Sequence, residues 1–192
     1  MEGEANITPA HSDNRWKPGF WSLIVTQFQG AFSDNAFKNL VLFGVLASGL
    51  SEAHRQSLAF WIGTLFSVPF ILFSMAGGYL ADKYSKRSVT IGTKALEILV
   101  MILALSGLAS GNLTVQLSAV FLISTQAALF GPSKYGLLPE LAPEEELSWG
   151  NGVLELGTFL AIITGTITAG ILAETFNGRQ SWSGLILIGL AV

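Results

Sequence analysis

Polar side chains stand inside the first long apolar run of the sequence, where few would be expected. They are Gln27, Gln29, Ser33, Asp34, Asn35, Lys38 and Asn39, within a run from Trp21 to Leu50. An ionisable group in a membrane helix costs about 2.5–3.5 kcal/mol on insertion scales, so it usually faces a cavity or a partner. This run is therefore the first place where the chain could bind a polar ligand.

The spacing of these residues predicts that several share one helix face. Gln27, Ala31, Asp34 and Lys38 follow an i, i+4, i+7, i+11 pattern. Asp34 and Lys38 could also form an ion pair, since they are four residues apart. The face is either a ligand site that includes Asn35, or a self-neutralised pair that only fixes the orientation of the helix. The additional amides exceed what one ion pair needs, which favours the site.

A lysine and a tyrosine, Lys134 and Tyr135, mark a second candidate position. They lie in the segment 131–141, Gly-Pro-Ser-Lys-Tyr-Gly-Leu-Leu-Pro-Glu-Leu, whose glycine and proline predict the end of the fourth apolar run. A cation beside an aromatic ring can hold a phosphate or an acidic headgroup. The alternative is a lysine at a helix end that extends to the membrane surface.

A carboxylate, Glu155, lies early in the fifth apolar run. It could hold a coupling ion or pair with a lysine of another helix. The candidate partners are Lys38, Lys94 and Lys134. Lys94 and Glu97, three residues apart in the third run, predict a local ion pair.

Charged residues follow the second apolar run and form a loop that includes Gly78, Asp82, Lys83, Lys86 and Arg87. Asp82 could cap the next helix, while the basic residues could meet lipid phosphates or a carboxylate on another helix. The alternative is an ordinary positively charged cytoplasmic loop.

The composition indicates the class of protein that must position these groups. Of 192 residues, 51% are hydrophobic and only 12% are charged, against about 25% in soluble domains. The net charge of -3 argues against a nucleic-acid partner. Cysteine is absent and both histidines lie in polar segments, so no metal site or cofactor is indicated. No nucleophile–base pair is recognisable, so no enzymatic activity is predicted.

Long apolar runs predict an all-α membrane protein. The expected spans are 21–50, 58–81, 89–109, 113–130 and 153–173, with an incomplete sixth at 182–192. A helix needs about 20 residues to cross a bilayer. The sixth run is too short to span, and we expect the chain to be a fragment of a longer protein. Gly165 and Ala169 form a small-x-x-x-small pair that lets helices approach closely.

Residues 1–19 are predicted to form a cytoplasmic tail. The tail and the second and fourth loops hold Arg15, Lys17, Lys83, Lys86, Arg87 and Lys134, whereas the first and fifth loops hold only Arg55 and Arg179. This bias of Lys and Arg places the N-terminus in the cytoplasm.

The loop after the second run resembles a motif of the major facilitator superfamily, G-x-x-x-D-[RK]-x-G-[RK]-[RK]. Gly78, Asp82, Lys83, Lys86 and Arg87 match, while a serine, Ser85, replaces the second glycine. The resemblance implies a charge latch that holds the cytoplasmic side closed. It also implies that the chain is the N-terminal six-helix half of a twelve-helix bundle.

Other segments resemble the bacterial lysophospholipid transporter branch of that superfamily. They are residues 32–35 (Phe-Ser-Asp-Asn), residues 131–136, and Asn151-Gly152 with Glu155. The resemblance covers the chain from about Phe20 onward. It implies movement of lysophospholipids from the outer to the inner leaflet of the bacterial inner membrane, with Asp34, Asn35, Lys134 and Glu155 as headgroup contacts or cavity charges.

The resemblance also implies partners and a mechanism. The C-terminal half of the transporter would complete the cavity, membrane lipids would surround it, and an acyltransferase could be fused or adjacent. Transport would proceed by alternating access around a site between the halves. Two alternatives are transport of another amphipathic small molecule, or the membrane portion of a fused lysophospholipid acyltransferase.

Overall fold

Five long α-helices make up the described part of the chain. The structure is a computed structural model that describes residues 16–176 together with Trp182, Leu185, Ile186 and Gly189. The helices are α1 (Lys17–Leu46), α2 (Glu52–Lys83), α3 (Lys86–Ser110), α4 (Leu113–Leu141) and α5 (Leu147–Thr175), with a short 3-10 helix, Glu144–Glu146, before α5. Every regular element in these residues is helical, as the sequence predicts.

Each of the five predicted spans corresponds to one helix. Most helix ends differ from the predicted limits by about one turn or less. Helices α2 and α5 begin earlier, at residues 52 and 147 instead of 58 and 153, because polar residues extend each helix beyond its apolar run. Helix α1 begins inside the predicted tail, with Pro18 in its first turn. The predicted sixth span, 182–192, and most of the tail lie largely outside the described residues.

The fourth helix differs most from prediction. Gly131 and Pro132 do not end it, and α4 continues through Pro132 and Pro139 to Leu141. Proline is tolerated inside membrane helices because neighbouring helices can satisfy the backbone groups that it frees. Lys134 and Tyr135 are therefore within a helix and not at its end, so the predicted boundary is wrong.

Short connections set the antiparallel order of the helices. Gly111 ends α3 with a φ of 64°, in the left-handed region that glycine adopts easily, and Asn112 then caps α4 through Val115 N. Between α2 and α3, the cap is Ser85, which accepts a hydrogen bond from Ser88 N at 3.2 Å. The prediction that Asp82 caps α3 is wrong, because Asp82 is still in the last turn of α2.

Two packed groups of helices meet at α1 and α4. Helix α1 packs mainly on α5, and α4 packs on α2 and α3. Phe37, Leu40, Met101 and Ile123 form part of the main apolar core. A second apolar cluster around Phe20 lies toward the end of the bundle where α1 begins. The space between the two groups is where a cavity forms.

Four of the helical segments are long and apolar enough to cross a membrane: Glu52–Lys83, Lys86–Ser110, Leu113–Leu141 and Glu144–Thr175. Helix α1 is long enough, with 30 residues, but its polar residues lower its mean hydropathy, so it is not among these four segments. Large apolar side chains such as Ile71, Met75 and Leu99 are exposed on the outside of the bundle. An apolar exterior of this kind fits a helical bundle surrounded by lipid.

Candidate functional site

A cavity of about 520 Å³ lies between the two groups of helices and receives residues from all five. We call it the central cavity. Most of the surface of its lining is apolar and comes from residues such as Phe66, Phe70 and Ile162, although half of the lining residues are polar. Its polar lining residues are Gln27, Asp34, Asn35, Ser74, Lys94, Glu97, Gln126, Lys134, Tyr135 and Thr158. A volume between about 300 and 1,000 Å³ with a few convergent polar groups is typical of ligand sites.

Part of the polar face of α1 is used to hold α5 in place. Gln27 Nε2 donates to Thr158 Oγ1 at 3.0 Å, and Asn39 Nδ2 donates to Thr166 Oγ1 at 2.8 Å. Gly165 lets the two backbones approach, since a Cβ atom there would lie 2.6 Å from the carbonyl oxygen of Phe32. The close helix contact predicted at Gly165 is therefore present, and α1 is fixed against α5.

Asp34 of α1 takes no part in these hydrogen bonds with α5. Its side chain is only 6% exposed, lines the central cavity, and has no hydrogen-bond partner for Oδ1 among the described residues. The predicted ion pair with Lys38 does not form. Lys38 Nζ instead donates to Asn35 Oδ1 at 3.3 Å and lies 4.5 Å from the centre of the Phe66 ring.

These contacts separate Lys38 from the other predicted site residues of α1. Asp34 and Asn35 line the central cavity, whereas Lys38 is absent from its lining. The Asn35 amide also donates to Ala31 O at 2.8 Å in its own helix. A carboxylate therefore faces the cavity without the neighbouring cation that the spacing suggested.

A charged pair on α3 enters the same cavity. Lys94 Nζ lies 2.7 Å from Glu97 Oε2, which confirms the predicted local pair. Gln126 of α4 donates to the same Glu97 oxygen at 3.1 Å. Gly30 of α1 leaves room for this group, since a Cβ atom there would lie 3.0 Å from Lys94 Nζ. The spacing of Lys94 and Glu97 predicted the ion pair but not its place in the site.

The cost of burial was the signal that could have placed this pair in the site. A charged pair in the middle of an apolar run is as costly in lipid as Asp34 is. The structure shows the consequence, because Glu97 is only 2% exposed.

Lys134 supplies a buried positive charge from α4. Its residue is 7% exposed, so it does not extend to the membrane surface, and that alternative is wrong. Its Nζ lies 4.4 Å from the centre of the Tyr135 ring, and the described residues offer it no hydrogen bond or ion pair within bonding distance. Glu155 of α5 is close enough to attract it electrostatically. Lys134 thus faces the central cavity with its donors available.

Tyr135 joins α4 to α5 at the edge of the cavity. Its hydroxyl donates to Glu155 Oε1 at 2.5 Å. Tyr135 is among the cavity-lining residues, whereas Glu155 is not. Of the six predicted binding residues, the structure therefore brings Asp34, Asn35, Lys134 and Tyr135 together, and it places Lys38 and Glu155 beside them.

The predicted gating residues lie at one end of the bundle, away from the central cavity. Lys86 Nζ forms an ion pair with Glu140 Oε1 of α4 at 2.6 Å, as expected for a basic residue that meets a carboxylate of another helix. Asp82, Lys83 and Arg87 are exposed, and Gly78 has open space around its Cα. These residues form a charged surface that joins α2, α3 and α4.

The fold and this cavity define the class of protein. The profile of the Major Facilitator Superfamily matches residues 23–192, and the chain belongs to that superfamily. It is thus a multi-pass membrane protein of a transporter family.

The individual relatives agree with the branch that the motifs resemble. Proteins described as "Lysophospholipid transporter LplT" from Salmonella heidelberg, Salmonella schwarzengrund and Salmonella enteritidis PT4 are each 32% identical to the chain over 160 residues. The match covers 83% of this chain and 37% of each relative. The chain therefore spans well under half the length of these relatives. No solved structure shows a significant match.

Proposed function

We propose that the chain forms the N-terminal part of a secondary transporter that moves lysophospholipids from the outer to the inner leaflet of the bacterial inner membrane. The observation that carries this proposal is the central cavity, in which a buried carboxylate, Asp34, and a buried ammonium, Lys134, line a mostly apolar space. The lysophospholipid transporters at 32% identity support the choice of substrate.

The charges of the cavity match a zwitterionic headgroup. Lys94 and Glu97 neutralise each other at 2.7 Å, so Asp34 and Lys134 are the charges that remain for a ligand. Lys134 would bind the phosphate of the headgroup, and Asp34 would bind its ammonium group. Charge-assisted hydrogen bonds of this kind are roughly twice as strong as those between neutral groups, and burial limits competition from water.

The apolar part of the lining would receive the acyl chain. Phe66, Phe70 and Phe130 line the cavity beside the charged groups, and exposed apolar side chains cover the outside of α2. A single chain could pass from the cavity to the bilayer along such a surface without contact with polar groups. This arrangement favours a lipid over a soluble amphipathic compound.

Transport would use alternating access, with a C-terminal half as the other wall of the cavity. The bias of Lys and Arg toward the tail and the even loops supports a cytoplasmic N-terminus. The ion pair between Lys86 and Glu140 and the exposed Asp82 would then lie on the cytoplasmic side. There they could form and break contacts with the other half as the transporter changes state.

Uptake of labelled lysophosphatidylethanolamine by spheroplasts that contain the full-length transporter tests the proposal. We expect Asp34→Asn and Lys134→Gln each to reduce uptake at least tenfold, which corresponds to about 1.4 kcal/mol. Glu52→Gln and Lys17→Gln remove exposed charges and are the matched controls. Normal uptake by both cavity variants would refute the assignment of the site. Inhibition of this uptake by soluble amphiphiles, but not by unlabelled lysophospholipid, would refute the substrate class.

A further inference from the structure

A second cavity, of about 390 Å³, lies between α1, α3 and α4 at the end of the bundle where α1 begins. We call it the α1–α3 groove. It is lined by Gly19, Ser22, Leu23, Thr26, Arg87, Thr90, Ile91, Leu137 and Leu141. None of these residues lines the central cavity, so the α1–α3 groove is a separate space.

The groove exists because α1 and α3 both pack on α4 and make little contact with each other in the described part of the chain. Gly19 brings α1 close to α4, since a Cβ atom there would lie 2.9 Å from Leu141 Cδ2. Leu23 is buried, whereas Ser22 and Ile91 are exposed. One side of the groove therefore opens to the outside of the bundle, where lipid surrounds a membrane protein.

Arg87 is an unpaired cation in this groove. Its neighbour Lys86 is held by Glu140 of α4 at 2.6 Å. The guanidinium of Arg87 has neither an ion pair nor a hydrogen bond among the described residues, and the described lining of the groove contains no carboxylate. The groove thus carries one positive charge that the protein does not neutralise.

Two hydroxyl groups of α1 face the same space. Ser22 and Thr26 are four residues apart and therefore share one face of the helix. Several hydroxyls inside these helices donate to a carbonyl one turn earlier, as Thr90 Oγ1 does to Lys86 O at 2.9 Å. The hydroxyls of Ser22 and Thr26 have no such partner in the described part of the chain, so both can donate to a ligand.

We propose that the α1–α3 groove binds an anionic phospholipid of the surrounding bilayer, such as phosphatidylglycerol. Arg87 binds the phosphate, because a guanidinium matches the geometry of phosphate oxygens, and Ser22 and Thr26 donate to it. The first part of an acyl chain lies against Leu23 and Ile91. Basic pockets between membrane helices bind anionic headgroups in this way. Binding in the groove is independent of what the central cavity transports.

The charge of the groove selects the headgroup. Ethanolamine would bring an ammonium group close to Arg87, and the described lining offers no carboxylate to hold it. A glycerol headgroup carries only the negative charge of the phosphate, which one unpaired cation matches. A free phosphate ion would meet the same donors but would leave the apolar walls unused. The lining therefore favours a lipid over a free ion, and phosphatidylglycerol over phosphatidylethanolamine.

Native mass spectrometry of the full-length protein in detergent measures the affinity for the first bound phospholipid. We expect Arg87→Gln to weaken phosphatidylglycerol about tenfold and Ser22→Ala/Thr26→Ala about fivefold, since a charged donor contributes more than a neutral one. The wild type should prefer phosphatidylglycerol to phosphatidylethanolamine. Lys83→Gln removes an exposed cation from the same end of the bundle, outside the groove, and should retain wild-type affinity. Equal affinities for the two lipids, or unchanged affinity in Arg87→Gln, would overturn the proposal.

Two further variants of the experiment exclude other sources of the same signal. Asp34→Asn/Lys134→Gln should retain the affinity for phosphatidylglycerol, because both residues line the central cavity. A loss in that variant would place the lipid in the central cavity and overturn the proposal. A large excess of inorganic phosphate should not displace the lipid, and displacement would show that the groove takes a free ion instead.

Thermal unfolding provides an independent readout. A ligand that binds only the folded protein stabilises it by mass action, and a lipid in the groove would bridge α1 to α3 and α4. Phosphatidylglycerol should therefore raise the unfolding midpoint of the wild type and of Lys83→Gln more than that of Arg87→Gln. An equal rise in all three proteins would contradict binding at Arg87.

Discussion

Gly77 of α2 lies against the backbone carbonyl oxygen of Ala128 in α4. A Cβ atom at Gly77 would be 2.8 Å from that oxygen and 3.1 Å from the Cα atom of Leu129. Ala128 is four residues before Pro132, which has no N–H group to donate to it. The glycine thus brings α2 close to α4 at the carbonyl that the proline leaves free, beside the central cavity.

Substitution of Gly77 by alanine should destabilise the protein. The added methyl group meets backbone atoms that cannot rotate away, so we expect a loss of about 1–3 kcal/mol, as for other overpacked sites. The matched control is Gly78→Ala, because nothing lies within 4 Å of a Cβ atom there. It should be neutral or stabilising by up to about 1 kcal/mol. Thermal unfolding of the purified protein measures both, and equal midpoints for the two variants would contradict the close contact.

Removal of Lys94 alone should be more harmful than removal of the whole pair. Lys94→Met leaves the buried Glu97 with only the Gln126 amide as a partner, and loss of one member of a buried pair costs about 3–5 kcal/mol. The double variant Lys94→Met/Glu97→Met should recover much of that loss. Denaturation of the two variants under the same conditions provides the comparison. A double variant less stable than Lys94→Met would show that the pair is not a buried, mutually dependent unit.

The hydrogen bond between Asn39 and Thr166 should contribute modestly to the contact of α1 with α5. Interhelical hydrogen bonds in membrane proteins contribute about 0.6 kcal/mol on average, so Thr166→Val should cost about that amount. Thr164→Val is the control, since the Thr164 hydroxyl bonds only within its own helix, to Leu160 O at 2.7 Å and Ala161 O at 3.3 Å. Steric-trap or denaturant unfolding can resolve the two variants. A larger loss in Thr164→Val would argue against the interhelical bond.

The ion pair between Lys86 and Glu140 should have little effect on stability. Both side chains are partly exposed, and pairs of that kind contribute about 0–1 kcal/mol and weaken in salt. Lys86→Gln should therefore unfold within about 1 kcal/mol of wild type, with a difference that shrinks at high ionic strength. If the pair acts as a latch, the same variant should alter the transport rate of the full-length protein more than its stability. A salt-independent loss of several kcal/mol would instead assign it a structural role.

The general architecture could be predicted from the sequence because it depends on apolar length alone. Each of the five long apolar runs corresponds to one helix, and the small residue Gly165 of α5 marked the contact of that helix with α1. The position of Lys134 was mispredicted because proline usually ends a helix, and its effect depends on whether a neighbouring helix compensates. Here Gly77 lies beside the carbonyl that Pro132 frees, a relation between distant residues that no local pattern contains.

The candidate site was predicted in part for a similar reason. Helix periodicity placed Asp34 on a polar face, but it could not tell which residues of that face turn toward a cavity and which toward another helix. Gln27 and Asn39 bind α5, while Asp34 faces the cavity. Lys94 and Glu97 looked like a local pair, because spacing within one helix does not show what lies opposite it.

Crosslinking from the headgroup tests the central claim most directly. Lysophosphatidylethanolamine with a photoreactive group on its headgroup is irradiated with the full-length protein, and the modified peptides are identified by mass spectrometry. We expect adducts on peptides that contain Asp34 or Lys134, suppressed by excess unlabelled lipid and lost in Asp34→Asn/Lys134→Gln. Adducts confined to the exposed face of α2 around Ile71 and Met75, and unchanged by those substitutions, would contradict the account.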